Sequence, residues 1–110
     1  MSRVINNRKR GKRAQKEIAK LLEGLDIGIL GKADILTELF IVEVKHRKTF
    51  IGESFLQEAE NYQKEHKLFN KIPIAVIHTF RKKYEDSIVC IRLKDFLSLL
   101  KENKSNEQKI

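Results

Sequence analysis

Between Asp34 and Lys45 the chain alternates. Phe40, Val42 and Val44 fall on one parity and Ile41, Glu43 and Lys45 on the other, the period of a strand with two unlike faces. With the apolar pair Ile35-Leu36 ahead of it, this predicts a β-hairpin turning at Thr37-Glu38. In that register Leu36 opposes Leu39, Ile35 opposes Phe40 and Asp34 opposes Ile41. Asp34 then shares a face with Glu43 and Lys45, and the two acids become diagonal neighbours roughly 7–8 Å apart. A four-residue loop from Leu36 to Leu39 keeps the register, whereas a three-residue loop moves Asp34 to the other face. Thr-Glu is poor chemistry for a two-residue turn. Charges on a strand's packed face are seldom found unless paired, metal-bound or open to a cleft.

Elsewhere the apolar spacing is helical. Ala14, Ile18, Leu21, Leu22 and Leu25 predict a first helix over 12–25, ended by Gly24 and Gly28. Ile27-Gly-Ile-Leu30 reads as a short strand or a connection. Phe55, Ala59, Tyr62 and His66 predict a second helix over 54–67, with Ser54 and Gln57 spaced as a capping box. Ile74–Ile77 reads as a strand covered on both faces and Ser87–Ile91 as the next strand. Asp95 is placed to cap a last helix carrying Phe96, Leu97, Leu99 and Leu100. The order helix, hairpin, helix, two strands, helix predicts an α/β domain, a small central mixed β-sheet with helices on both faces. It would occupy residues 12–101, between a flexible basic arm at 1–11 and a flexible tail at 102–110.

Charge sharpens this picture. The net charge is +8, and residues 1–13 hold Arg3, Arg8, Lys9, Arg10, Lys12 and Arg13 with no acid, leaving the rest of the chain only slightly positive. A concentrated basic segment suits a polyanion, nucleic acid above all. Lys32, Arg47 and Lys48 add positive charge on either side of the acids. No stretch approaches the ~20 apolar residues of a membrane span, and the basic start lacks an apolar signal core. Cys90 is the single cysteine, which excludes an intrachain disulfide and fits a reducing cytoplasm. Three scattered histidines offer no zinc spacing, and there is no Gly-rich phosphate loop.

Two carboxylates beside a lysine suit phosphodiester hydrolysis. Mg²⁺ takes one or two carboxylates and completes its shell with water and substrate phosphate. A lysine nearby can position the attacking water or stabilise charge on the phosphate. Glu17 borders the stripe of the first helix, where the bland role is an i,i+4 partner of Arg13. Gln57 divides between its cap and support of the site.

The Asp34…Glu43-Val-Lys45 pattern resembles the motif of the PD-(D/E)xK nuclease superfamily, with Ala33 in place of a proline that is often absent. Arg10-Gly-Lys-Arg-Ala-Gln-Lys-Glu17, followed by Ile-Ala-Lys-Leu-Leu, resembles the first helix of archaeal-type Holliday junction resolvases, and the likeness in element order covers about 8–100. The resemblance implies a restriction-endonuclease-like fold and a Mg²⁺ site (Mn²⁺ substituting) held by Asp34, Glu43 and the Val44 carbonyl. Glu17 would bind there directly or through water, and Lys45 would be catalytic. It further implies a homodimer nicking opposed strands of four-way junctions, in recombination or repair. The brief apolar Ile29-Leu-Gly-Lys32 departs from the longer polar loop common in that family. So compact a form would suit a virus-encoded enzyme acting in host cytoplasm. The alternatives are another nuclease of the same superfamily, of nicking, repair or restriction type, a DNA-binding protein that kept the fold without the chemistry, or a basic protein-interaction domain in which the carboxylate cluster is coincidental.

Overall fold

The computed structural model describes residues 2–22, 25–26 and 35–108. Among these the order is α1 (Ser2–Leu21), β1 (Leu25–Asp26), β2 (Ile35–Leu36), β3 (Ile41–Val42), α2 (Gly52–Glu65), β4 (Ala75–Ile77), a 3₁₀ turn (Tyr84–Asp86), β5 (Ile88–Cys90) and α3 (Leu93–Gln108). The class is mixed α/β, as the pattern predicts. The single central sheet is not what forms. The strands make two small antiparallel sheets, β1-β2-β3 and β4-β5, within two compact units, residues 1–48 and 49–110. Hydrophobic alternation says that a segment is a strand, and does not say which strand it pairs with.

In the first unit, α1 begins at Ser2 and runs through Gly11, so the basic segment expected as a separate arm is helical. Gly11 has nothing close to where a side chain would begin, and an isolated helical glycine costs only about 1 kcal/mol against alanine. The helix stops at Leu21, short of the expected end. Leu25 is a strand residue opposite Leu36. Ala19 is the helical side chain packed inward, while Leu21 is exposed. The segment Ile27–Leu30 lies outside the described residues.

The β2–β3 hairpin forms with a register two residues from the one predicted. Ile35 opposes Val42 and Leu36 opposes Ile41, leaving Thr37–Phe40 as a four-residue loop. Thr37 is the cause. Its N–H donates to the Phe40 carbonyl at 2.9 Å, and its Oγ1 accepts from the N–H groups of Leu39 at 3.2 Å and Phe40 at 2.8 Å. A threonine that closes a turn with its hydroxyl needs more loop than a two-residue connection provides. A two-residue shift conserves faces, so Leu36 and Ile41 remain together. That face is open: Ile41 is 79% exposed, whereas Ile35, on the opposite parity, is fully buried.

In the second unit, α2 starts at Gly52, two residues before the predicted cap. Ser54 lies inside the first turn and donates Oγ–H to the Ile51 carbonyl at 2.8 Å; no capping box forms, and no side chain caps the helix. The inward face centres on Leu56, with Ala59, Glu60 and Gln63 half-buried, while Phe55 and Tyr62 of the predicted stripe are exposed. Tyr62 instead packs at a 42° tilt against His66, ring centroids 4.1 Å apart.

The helix closes with Lys67 in the left-handed region at φ 55. Leu68 N–H donates to the Gln63 carbonyl at 2.9 Å and Lys67 N–H to the Lys64 carbonyl at 3.3 Å, the paired bonds of a Schellman ending. The Gln63 side chain continues the closure by donating to the Lys71 carbonyl at 2.7 Å. A side chain in the left-handed region costs about 1–2 kcal/mol, part of which glycine would return as unfolded-state entropy. Lys67→Gly is therefore expected to gain about 0.5 kcal/mol, read as a higher urea midpoint at unchanged slope.

β4 and β5 pair with Ala75 opposite Cys90 and Ile77 opposite Ile88. Val76 is 61% exposed, so β4 is covered on one face rather than both. Asp95 falls in the first turn of α3, where its charge suits the helix dipole. The tail expected from residue 102 is helical to Gln108.

At the start of α3, Arg92 fastens the second unit. Its Nε and Nη2 donate to the two Glu60 oxygens at 3.0 and 2.9 Å, and Nη1 pairs with Glu53 one face-length earlier on α2. The fork lowers the Glu60 pKa, first through the hydrogen bond from Arg92 and then through its charge, against the opposing effect of desolvation. It holds the guanidinium above its ordinary value, through hydrogen bonds to Glu60 and Glu53.

Candidate functional site

The residues singled out by sequence divide between one strand end and one helix, both in the first unit. Past Ile41–Val42 the chain continues with the alternation of a strand, Glu43 and Lys45 exposed and Val44 half-buried. Glu43 and Lys45 therefore project from the same side, and their charged ends meet at 3.0 Å with side chains 56% and 62% exposed. The predicted common face is present here, but it is a solvent face rather than a packed one. A pair this exposed contributes about 0–1 kcal/mol, so either partner is free to leave it for a ligand. His46, Arg47 and Lys48 follow, all exposed, with Arg47 donating to the His46 carbonyl at 3.1 Å. Asp34 and Lys32 lie outside the described residues.

Glu17 is exposed on α1. Its carboxylate lies 3.6 Å from the Lys20 ammonium, an i,i+3 pair, in place of the i,i+4 pairing with Arg13 that its spacing allows. Arg8, Lys9, Arg10, Lys12 and Arg13 are all exposed on the same helix. Helical spacing carries the basic row further than the sequence reading took it. Lys9, Arg13, Lys16 and Lys20 succeed one another at intervals of four, three and four, forming a single exposed stripe opposite Ile18 and Leu22. A charge count over residues 1–13 leaves out Lys16 and Lys20, which only helical periodicity joins to the row.

No protein-family model, curated protein or solved structure matches the chain.

Among the described residues, no three His, Cys, Asp or Glu side chains gather closely enough to hold a metal ion. The exposed Glu43 carboxylate is an oxygen donor of the class that Mg²⁺ takes. Gln57 is exposed on α2 and belongs to the second unit.

Proposed function

We propose that this chain is a Mg²⁺-dependent, structure-selective DNA endonuclease, a resolvase of four-way junctions acting as a homodimer. The observation that supports this best is the Glu43–Lys45 pair, an acid and an ammonium side by side on an exposed strand end, in the unit that also carries the basic stripe of α1. Asp34, Glu43 and the Val44 carbonyl would hold the ion, with Glu17 reaching it directly or through water. When bound, Mg²⁺ supplies charge neutralisation at the phosphate and lowers the pKa of a coordinated water.

The chain's own residues do the rest. Lys45 leaves its ion pair with Glu43 to hold a water or a phosphate oxygen at the scissile group, which matters most as charge develops there. Arg8, Lys9, Lys12, Arg13, Lys16 and Lys20 neutralise phosphates along α1, a term that positions DNA without reading its sequence. Arg10, Lys32, Arg47 and Lys48 add to the same field.

Labelled four-way junction, duplex and single-stranded DNA, each incubated with the protein and either Mg²⁺ or a chelator, provide the test. Paired nicks confined to the junction and lost with chelator are expected. Cutting of plain duplex assigns the chain to another nuclease type of the superfamily. Binding without cutting in any metal assigns it to DNA binding without chemistry.

A further inference from the structure

The hairpin connecting β4 to β5 carries a feature that the cleavage reading does not use. From His78 to Tyr84 it displays two aromatic rings and three cations, all exposed: Phe80 at 81%, Tyr84 at 83%, and Arg81, Lys82 and Lys83 between them. Large rings this open on a hairpin tip forgo the burial that normally fixes their place. They are nonetheless held. Lys82 N–H donates to the Thr79 carbonyl at 3.1 Å, closing a turn. His78 Nε2 lies 2.8 Å from the Lys82 carbonyl, and its ring packs at a 32° tilt against Tyr84 with centroids 4.4 Å apart. The Arg81 guanidinium lies 5.3 Å from the centre of the Phe80 ring.

Arg81 adopts φ 69, a conformation that side-chain-bearing residues rarely take and that glycine or asparagine usually supplies in such a turn. The turn thus carries a large cation where backbone geometry favours a small residue. Glu85 and Asp86 follow immediately on the 3₁₀ turn and trim the local positive charge. Charge alone would make this a weak anion site; it is the rings among the cations that specify the ligand. Exposed aromatic faces with flanking Arg and Lys are what unpaired bases and their phosphates require, since every base offers a π-face and every nucleotide a negative charge.

We infer that the Phe80–Tyr84 hairpin is a second nucleic-acid contact, taking an unpaired or single-stranded segment by stacking on Phe80 and Tyr84 while Arg81, Lys82 and Lys83 hold its phosphates. The contact stands apart from the cleavage chemistry and needs no metal.

The chain has no tryptophan, so Phe80→Trp places a single indole at the contact, excited selectively at the red edge where the two tyrosines do not absorb. With chelator present, a single-stranded oligothymidylate is expected to quench that emission saturably, more strongly than duplex of equal length, and less as salt is added. Replacing Phe80 and Tyr84 together by alanine should weaken single-strand affinity about thirtyfold or more and leave duplex affinity little changed. Arg81→Gly, which suits φ 69, should weaken binding while leaving the far-ultraviolet circular dichroism intact. A labelled oligonucleotide that binds without altering the tryptophan emission overturns this contact and leaves the nuclease reading standing. Absence of any nucleic-acid binding overturns both. Competition by polyglutamate as strong as by oligothymidylate would reduce the hairpin to a bare cationic surface. A blue shift on anionic vesicles without an oligonucleotide response would make it a membrane contact, and either result overturns the inference.

Discussion

Glu43→Gln is expected to abolish cutting of a four-way junction while leaving the protein folded and bound to DNA. Glutamine preserves the size of the side chain and removes the charge that would retain Mg²⁺, so metal affinity should fall with activity. Junction affinity should hold or rise, because an acid close to phosphates has gone. Lys45→Ala is its counterpart. In the proposed reaction the ammonium would act as charge builds on the phosphate, so the single-turnover rate should fall by about 10² or more while metal binding persists. The present structure adds a control. Since Glu43 and Lys45 neutralise each other in an exposed pair, the double variant should be no less stable than either single one. Wild-type cutting rates for either folded single variant would place the reaction elsewhere on the chain.

The second large effect concerns stability. Arg92→Ala removes a two-pronged contact with Glu60 and a further one with Glu53, leaving Glu60, only 23% exposed, without its partner. Hydrogen bonds to charged groups contribute about 1.5–3 kcal/mol each in partly buried settings, and the remaining exposure of Arg92 argues for the lower figure. A loss of about 2 kcal/mol corresponds to a fall in Tm on the order of 10 °C for a chain of this size. Arg92→Lys should recover only part of that, because an ammonium cannot reproduce the fork.

The pH dependence has a definite sign. The Glu60 pKa is depressed in the folded state, so its contribution is complete above the unfolded value of about 4.3 and disappears as pH falls through the depressed one. Wild-type stability should therefore drop more steeply below about pH 5 than that of Arg92→Ala. Chemical denaturation at several pH values reads the difference, and parallel pH curves for the two proteins would show that Arg92 does not govern Glu60.

The elements were legible because apolar spacing is a local property. The alternation of Phe40, Val42 and Val44 against Ile41, Glu43 and Lys45 survives in the structure even beyond the last ladder pair. What alternation cannot carry is closure. The hairpin register turned on one Thr37 hydroxyl accepting two backbone N–H groups, and the same composition with a different turn residue would read identically. Ser54 failed as a cap for a related reason: the helix begins wherever its first turn is satisfied, and Ser54 serves that turn from inside. Arg92 shows a third limit. Nothing near it in sequence marks it as the partner of two acids on α2, and only the fold brings 53, 60 and 92 together. Asp34, on which the sequence reading of the site turned, lies outside the described residues. Glu43 and Lys45 meet as a pair but on an open face, where solvent rather than a core accounts for their charge.

Lys67, left-handed at the end of α2, bears on how such a chain could change under selection. A third-position base change alone turns a lysine codon into an asparagine codon, whereas glycine requires changes at both of the first positions together. Asparagine also tolerates the left-handed region better than lysine does. A mutagenised population selected for heat resistance should therefore meet Lys67→Asn early and Lys67→Gly scarcely at all, although glycine relieves the greater strain. The codon, rather than the backbone, decides which remedy is found.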